Sequence, residues 1–158
     1  MQPALSLTRF LPYRCNTLAR KISVSLSRIY TERFGISIAE WRVLVTLAEY
    51  GELQAKQIGE LTSMDKVRVS RAVAGLQGCS LLQRRPCARD SRAALLSLSA
   101  AGADLYRRIE PEALAWEQSL LAPLAPAERD TLFALIDKLE LQLAGMPEKP
   151  ALSDRNTP

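Results

Sequence analysis

Two groups of cations in the middle of the chain carry side chains that can hold phosphate. They are Lys66, Arg68 and Arg71 on a stretch with helical spacing, and Arg84, Arg85, Arg89 and Arg92 around a turn. Guanidinium groups form charge-assisted bonds with phosphate oxygens, and they also suit a narrow, electronegative groove. These residue types in this arrangement indicate contact with a nucleic-acid backbone.

The first group lies on a helix that the apolar spacing predicts from residue 64 to residue 77. At about 100° per residue, its inward face consists of Val69, Ala72, Val73 and Leu76. The opposite face is small apart from one long cation, and it consists of Val67, Ser70, Arg71, Ala74 and Gly75. Lys66 and Arg68 flank that face. A helix that enters the major groove needs small residues, a few side chains that reach base edges, and flanking cations. The alternative is a charged face that is merely solvated.

The elements around this helix complete a DNA-reading unit. A shorter helix is predicted from Leu53 to Leu61, and a polar break at Thr62 and Ser63 separates the two, which suggests a helix-turn-helix. A two-stranded wing is predicted from residue 81 to residue 98. Asp90 at its turn can hold Arg92 by a charge-assisted bond. The residues expected at DNA are therefore Lys66, Val67, Arg68, Ser70, Arg71, Ala74, Arg84, Arg85, Arg89, Asp90 and Arg92.

Charge is concentrated on the same part of the chain. The 158 residues carry a net charge of +4, but residues 53–98 contain eight Lys or Arg and three Asp or Glu, a local charge of +5. The remainder, with thirteen bases and fourteen acids, carries −1. Such a distribution is typical of a nucleic-acid surface on an otherwise balanced protein.

Composition limits the other classes of function. A hydrophobic fraction of 47% in 158 residues suffices for one globular domain, and no apolar run is long enough to span a membrane. The chain has no histidine, its three cysteines lack metal-ligand spacing, and it has no Gly-rich phosphate loop. We therefore expect no enzyme activity, no metal and no cofactor, and a cytoplasmic location.

The helices outside the DNA-reading unit need a partner. The first predicted helix, residues 12–33, has an apolar stripe at Leu18, Ile22, Leu26 and Ile29. The next helix starts at Ser37, which forms a capping box with Glu40. Two further striped helices follow the wing, capped by Ser99 and opened by Pro126. A single small lobe cannot cover all these stripes, so we predict a two-fold dimer, which also places two reading helices on one face of DNA.

The chain resembles the MarR family of winged helix-turn-helix regulators. The residues that carry the resemblance are Asp90, Ser91, Arg92, Leu95, Leu98, Ser99 and Gly102 of the wing, and the run Met64–Arg71. Ser99 stands where Thr is commoner. The resemblance implies a mainly α fold with a small β-hairpin wing (α+β), in which residues 36–102 form the winged lobe. Residues 10–35 and 103–145 would be the dimerisation helices of a single domain, 10–145. Residues 1–9 are expected to form a flexible tail, and residues 146–158 are expected to form a disordered tail.

The resemblance also implies a function and a ligand site. Members of the family are homodimers, usually repressors, that bind a pseudo-palindromic double-stranded operator and release it when a small molecule binds. Family pockets lie between the dimer helices and the winged lobe. The corresponding candidates are Tyr13, Arg14, Thr17, Trp41, Arg42 and Tyr106. An arginine beside aromatic rings suits an aromatic carboxylate.

Two alternatives remain open from the sequence. Cys15 lies near the start of the first helix beside Arg14, where the helix dipole can favour a thiolate, so a thiol-based redox regulator is one alternative. A winged-helix module that binds proteins and no DNA is the other. The latter would leave the basic face without a purpose.

Overall fold

The computed structural model describes the backbone of residues 5–87 and 90–146. It describes the side chains of the same residues, except those from 87 to 93. In chain order the elements are α1 (Leu11–Phe34), α2 (Ile38–Tyr50), β1 (Leu53–Gln54), α3 (Ala55–Thr62), α4 (Lys66–Gly78), β2 (Leu82–Cys87), β3 (Asp90–Leu98), α5 (Ala100–Leu121) and α6 (Pro126–Gly145). Contacts divide the chain into two compact units, Met1–Trp116 and Glu117–Pro158. The predicted fold class, mainly α with a small β wing, is confirmed.

Local signals set the junction between α1 and α2. Gly35 adopts φ 66°, and the amides of Gly35 and Ile36 donate to the carbonyls of Thr31 and Tyr30, which closes α1 in a left-handed cap. Ser37 then caps α2: its hydroxyl accepts from the Glu40 amide at 3.3 Å, while its own amide donates to Oε2 of Glu40 at 2.8 Å. The predicted capping box is therefore confirmed.

The helix-turn-helix is present, with boundaries that differ from the prediction. The predicted start of α3 at Leu53 is wrong: Leu53 and Gln54 form β1, and the helix starts at Ala55. Leu53 is buried and pairs with Leu96 across the sheet, a partner more than forty residues away that local spacing does not reveal. The start of α4 also moves, because Asp65 caps this helix by accepting from the Arg68 amide at 2.8 Å.

The wing belongs to a three-stranded antiparallel sheet of order β1-β3-β2. The predicted hairpin is its β2–β3 part, with Leu82 opposite Leu98 and Arg84 opposite Leu96. Pro86 is tolerated in β2 because this strand lies at the edge of the sheet, where a missing amide costs no central hydrogen bond.

The core of the first unit joins the α2, α3 and α4 helices to the sheet and to Tyr30 of α1 and Ile109 of α5. Ser99 caps α5, since its hydroxyl accepts from the Gly102 amide at 3.0 Å. Gly102 has no room for a side chain, because a Cβ there would lie 2.1 Å from the Leu81 carbonyl oxygen. The start of α5 is thereby fixed against the base of the wing.

The second unit contains the end of α5 and the whole of α6. The stripe predicted for the last helix is present on α6, and its side chains are exposed: Leu132, Leu135, Ile136, Leu139 and Leu143. Within the described part of the chain, no helix combines the length and the apolar character that crossing a membrane requires.

Candidate nucleic-acid interface and ligand grooves

Helix α4 presents the face that the sequence predicts. Its buried residues are Val69, Ala72, Val73 and Leu76. The exposed residues that were expected at DNA are Lys66, Val67, Arg68, Ser70, Arg71 and Ala74. Gly75 differs from the prediction, because it is half-buried and a Cβ there would lie 2.3 Å from Oε1 of Glu40. The outward face therefore ends at Ala74, one turn before the end of the helix.

Two neighbouring arginines of the wing have different surroundings. Arg85 forms an ion pair with Glu52, in the loop before β1. Arg84 lies on the other face of β2, where it lines a groove of about 280 Å³ together with Lys56 and Val73. Lys56, which was not among the residues expected at DNA, is thus a further cation on the side of the wing that faces α3 and α4. The position of Lys56 in the sequence does not predict this location, because the groove forms only when β2 pairs with β3.

The side chains of the remaining wing candidates lie outside the described part of the chain. Arg89 lies outside the described residues. Asp90 and Arg92 have their backbone in β3, and their side chains are outside the described part. The predicted bond between these two side chains stays a prediction.

Three aromatic rings stack from α1 through α2 to α5. The Tyr30 and Trp41 ring centroids are 5.2 Å apart, and those of Trp41 and Tyr106 are 6.0 Å apart, with interplanar angles of 22° and 19°. Burial raises the pKa of Tyr30, and the nearby charge of Arg42 partly offsets that rise. Burial, followed by a hydrogen bond to Glu110, raises the pKa of Tyr106 to about 12. Both hydroxyls therefore stay protonated at neutral pH.

The structure divides the six effector candidates into two groups. Trp41 and Arg42 line a cavity of about 300 Å³ between α1 and α2, and Tyr106 contacts Trp41 from α5. In that cavity the Arg42 guanidinium donates to the Ser23 hydroxyl at 3.3 Å. The other three candidates line a separate open groove of about 770 Å³ along the first turns of α1: Tyr13, Arg14 and Thr17. Exposed Cys15 lies in this second groove, and its redox role stays a prediction.

A third groove, of about 590 Å³, runs from α1 across the start of α2 to the first turn of α4. It shares Ser23, Ile38 and Arg42 with the smaller cavity. Arg20 and Arg68 also line it. Sequence reasoning missed Arg20 and Ser23 as candidates, although their spacing of three residues places them on one face of α1.

Comparisons with known proteins decide the family. The family model described as MarR family matches residues 34–93. An HTH-type transcriptional regulator of Mycobacterium bovis is 30% identical over 142 residues, which cover 84% of this chain and 95% of the relative. The chain belongs to the MarR family. A crystal structure of a MarR/EmrR family regulator from Acinetobacter sp. ADP1 is 30% identical, with a TM-score of 0.81, over 90% of this chain and 100% of that one.

As a MarR-family transcriptional regulator, the protein binds DNA, and α4 with the wing is the surface that fits this activity. A more distant MarR-like fold is that of Bordetella bronchiseptica BpsR, with 24% identity and a TM-score of 0.68, over 80% of this chain and 98% of that one. Its structure is described as showing how 6-hydroxynicotinic acid regulates the DNA binding of BpsR. Among the described side chains, no group of three His, Cys, Asp or Glu is arranged to hold a metal ion.

Proposed function

We propose that the protein is a homodimeric repressor that occupies a pseudo-palindromic operator and leaves it when an aromatic carboxylate binds. The observation that carries this proposal is the outward face of α4. Small, exposed side chains surround Arg71 there, while Lys66 and Arg68 flank them. This face allows close approach to base edges with phosphate contacts on both sides.

The dimer is supported by the apolar surface at the two ends of the chain. On α6 the exposed fractions of Leu135 and Leu139 are 52% and 45%, and Leu11 of α1 is 53% exposed. Monomeric proteins rarely expose contiguous apolar surface of this kind. We propose that residues 10–35 and 103–145 bury it against a second copy, and that two-fold symmetry then places two α4 helices on a pseudo-palindrome.

The effector is supported by the cavity beside the aromatic stack. The Arg42 guanidinium can form a charge-assisted bond with a carboxylate, and apolar side chains that line the same cavity can cover an aromatic ring: Ile22, Leu26 and Val45. A volume of about 300 Å³ is at the lower end for small-molecule sites, which favours a single-ring acid. The acid that regulates BpsR has this chemistry.

The operator half of the proposal is tested by selecting bound fragments from a random DNA pool. Arg71→Ala is then compared with Arg107→Ala, an exposed arginine of α5, on the selected duplex and on unrelated DNA at one salt concentration. Loss of a contact with a guanine edge should cost roughly 1–3 kcal/mol on the selected duplex and less on unrelated DNA. An equal loss on both duplexes would make Arg71 a phosphate contact and contradict the assignment of this face.

The effector half is tested by adding 6-hydroxynicotinate to the protein–operator complex. Release should occur with the wild type and be lost with Arg42→Gln, whose DNA affinity without acid should be unchanged. Arg28→Gln, on the exposed side of α1, is the matched control and should respond as the wild type does. Unchanged release from Arg42→Gln would exclude this cavity as the site.

A further inference from the structure

Arg84 and Arg85 are neighbours in β2, and their side chains belong to opposite faces of the sheet. Arg84 lies opposite buried Leu96, so its face is the one that packs on the core. Arg85 lies opposite Leu95 and belongs to the other face. Because side chains alternate along a strand, these two adjacent arginines do not serve the same surface.

The face of Arg84 is turned towards the helix-turn-helix. Arg84 and Lys56 both line the groove of about 280 Å³, together with Val73 of α4. Lys56 lies in the first turn of α3, and its amine is 3.8 Å from Oε1 of Glu60 in an exposed pair that holds it weakly. Both cations therefore lie on the side of the wing that faces α3 and α4, and each can pair with a DNA phosphate.

The face of Arg85 carries an ion pair within the protein. The Arg85 guanidinium donates to Oε2 of Glu52, the residue before β1. In the sheet order β1-β3-β2 the two residues lie on either side of β3, so the pair joins strands that are about 10 Å apart. It therefore ties the wing strand β2 to the far edge of the sheet.

The two ends of this ion pair are held differently. Glu52 is fixed on both sides, because the amide of Gly51 is bonded to the last turn of α2 and the side chain of Leu53 is buried. Arg85 lies in an edge strand, and the pairing of β2 with β3 becomes irregular directly beyond Pro86. Irregular pairing lets a strand bend and twist. Glu52 is therefore the fixed end of the pair, and it can set the direction in which the wing leaves the sheet.

We propose that Arg85 is a positioning residue that orients the wing through Glu52 and does not contact DNA, whereas Arg84 and Lys56 contact DNA phosphate. The inference rests on the proposed function, in which the wing meets DNA, and it gives different roles to two arginines that residue type alone groups together. The Arg85–Glu52 pair is exposed, with side-chain exposures of 65% and 38%. Its loss should therefore weaken DNA binding by about twofold to fivefold, the range of an exposed ion pair.

The roles of the two arginines are tested by the salt dependence of binding to the selected duplex. Each phosphate contact contributes about 0.9 to the slope of log affinity against log salt concentration, because its formation releases condensed counterions. Arg84→Gln should reduce the magnitude of the slope by about 0.9 for each subunit, whereas Arg85→Gln should keep the wild-type slope. An equal reduction in both variants would make Arg85 a phosphate contact and overturn the proposal.

The dependence on Glu52 is tested by exchanging the charges of the pair. Arg85→Glu alone brings two carboxylates together and should weaken DNA binding more than Arg85→Gln does. The double variant Glu52→Arg/Arg85→Glu restores the pair and should return the affinity to within about twofold of the wild type. Its matched control is Glu52→Arg/Arg84→Glu, which should stay weak because position 84 belongs to the other face of β2. No recovery in the first double variant would overturn the positioning role.

The hold on the wing is measured without DNA by amide hydrogen exchange. Glu52→Gln and Arg85→Gln should each speed exchange of the β2 amides by about twofold to fivefold, because β2 loses its tie to the fixed end, and Arg84→Gln should not. Unchanged exchange in the first two variants would overturn the positioning role. Failure of the wild type to bind any duplex would instead overturn the proposed function, while exchange in the DNA-free protein would still decide whether the pair holds the wing.

Discussion

Helices α4 and α6 have the same kind of apolar stripe and opposite surroundings. Both repeat apolar residues at intervals of three and four. On α4 the exposed fractions of Val69 and Leu76 are 2% and 1%, whereas on α6 those of Leu135 and Leu139 are 52% and 45%. Helical spacing therefore indicates that a face must be covered, and it does not indicate whether the same chain covers it.

This difference in burial fits the roles that we propose for the two helices, DNA contact for α4 and dimerisation for α6. Because the core holds α4 by its inward face, the orientation of its outward face, which we propose contacts DNA, is fixed within the first unit. The stripe of α6 remains available to a second copy, and we propose that it sets the spacing between two α4 helices.

The largest effect should come from truncating the covered stripe. Leu76→Ala should lower the free energy of unfolding by about 2–5 kcal/mol, because it leaves a cavity in a fully packed core. Leu139→Ala, on the exposed stripe, should change the unfolding of dilute protein much less. Urea unfolding at low concentration compares the two, and similar losses would mean that α6 is buried within the single chain.

A smaller loss of stability is expected where a carbon atom is added at a closely packed glycine. Gly102→Ala should cost about 1–3 kcal/mol, because the new Cβ meets the Leu81 carbonyl oxygen at 2.1 Å. Gly145→Ala at the end of α6 is the matched control, since a Cβ there meets nothing within 4 Å. Thermal unfolding should show a loss for the first variant and none for the second. Equal stability would mean that the start of α5 can shift away from the wing.

The exposed stripe should matter for self-association. Leu139→Ser should weaken the proposed dimer roughly tenfold, the effect of losing about 1.4 kcal/mol at an interface. Leu141, which is 76% exposed and lies off the stripe, provides the control Leu141→Ser. Sedimentation velocity over a concentration series measures both. A dimer that tolerates the first change as well as the second would not use this face.

The smallest effects on stability are expected at the starts of α2 and α6. Ser37→Ala should cost about 1 kcal/mol, because α2 loses the hydroxyl that accepts from the Glu40 amide. Ala125, at the start of α6, has no side-chain acceptor, and Ala125→Ser should therefore stabilise its helix by a few tenths to about 1 kcal/mol. Changes in the urea midpoint of the two variants should have opposite signs, and matching signs would contradict this account.

The sequence by itself determined the features that depend on neighbours three or four residues apart. The inward face of α4, the capping box of Ser37 and Glu40, and the cap at Ser99 are all local, so spacing and residue type suffice to predict them. The wing residues from Asp90 to Gly102 also suffice to indicate the family, because the resemblance depends on residue types at fixed spacing and on no distant contact.

Tertiary structure decided what distant residues do together. Strand β1 exists because Leu53 meets Leu96, and Arg85 differs from Arg84 because Glu52 lies on only one face of β2. The packing of the helices separates the effector candidates into a cavity and a groove. The packing of α1, α2 and α4 also brings three arginines to another groove: Arg20, Arg42 and Arg68. The spacing of residues along one helix or strand does not predict such contacts, because their energy comes from burial and charge between segments that are far apart in the chain.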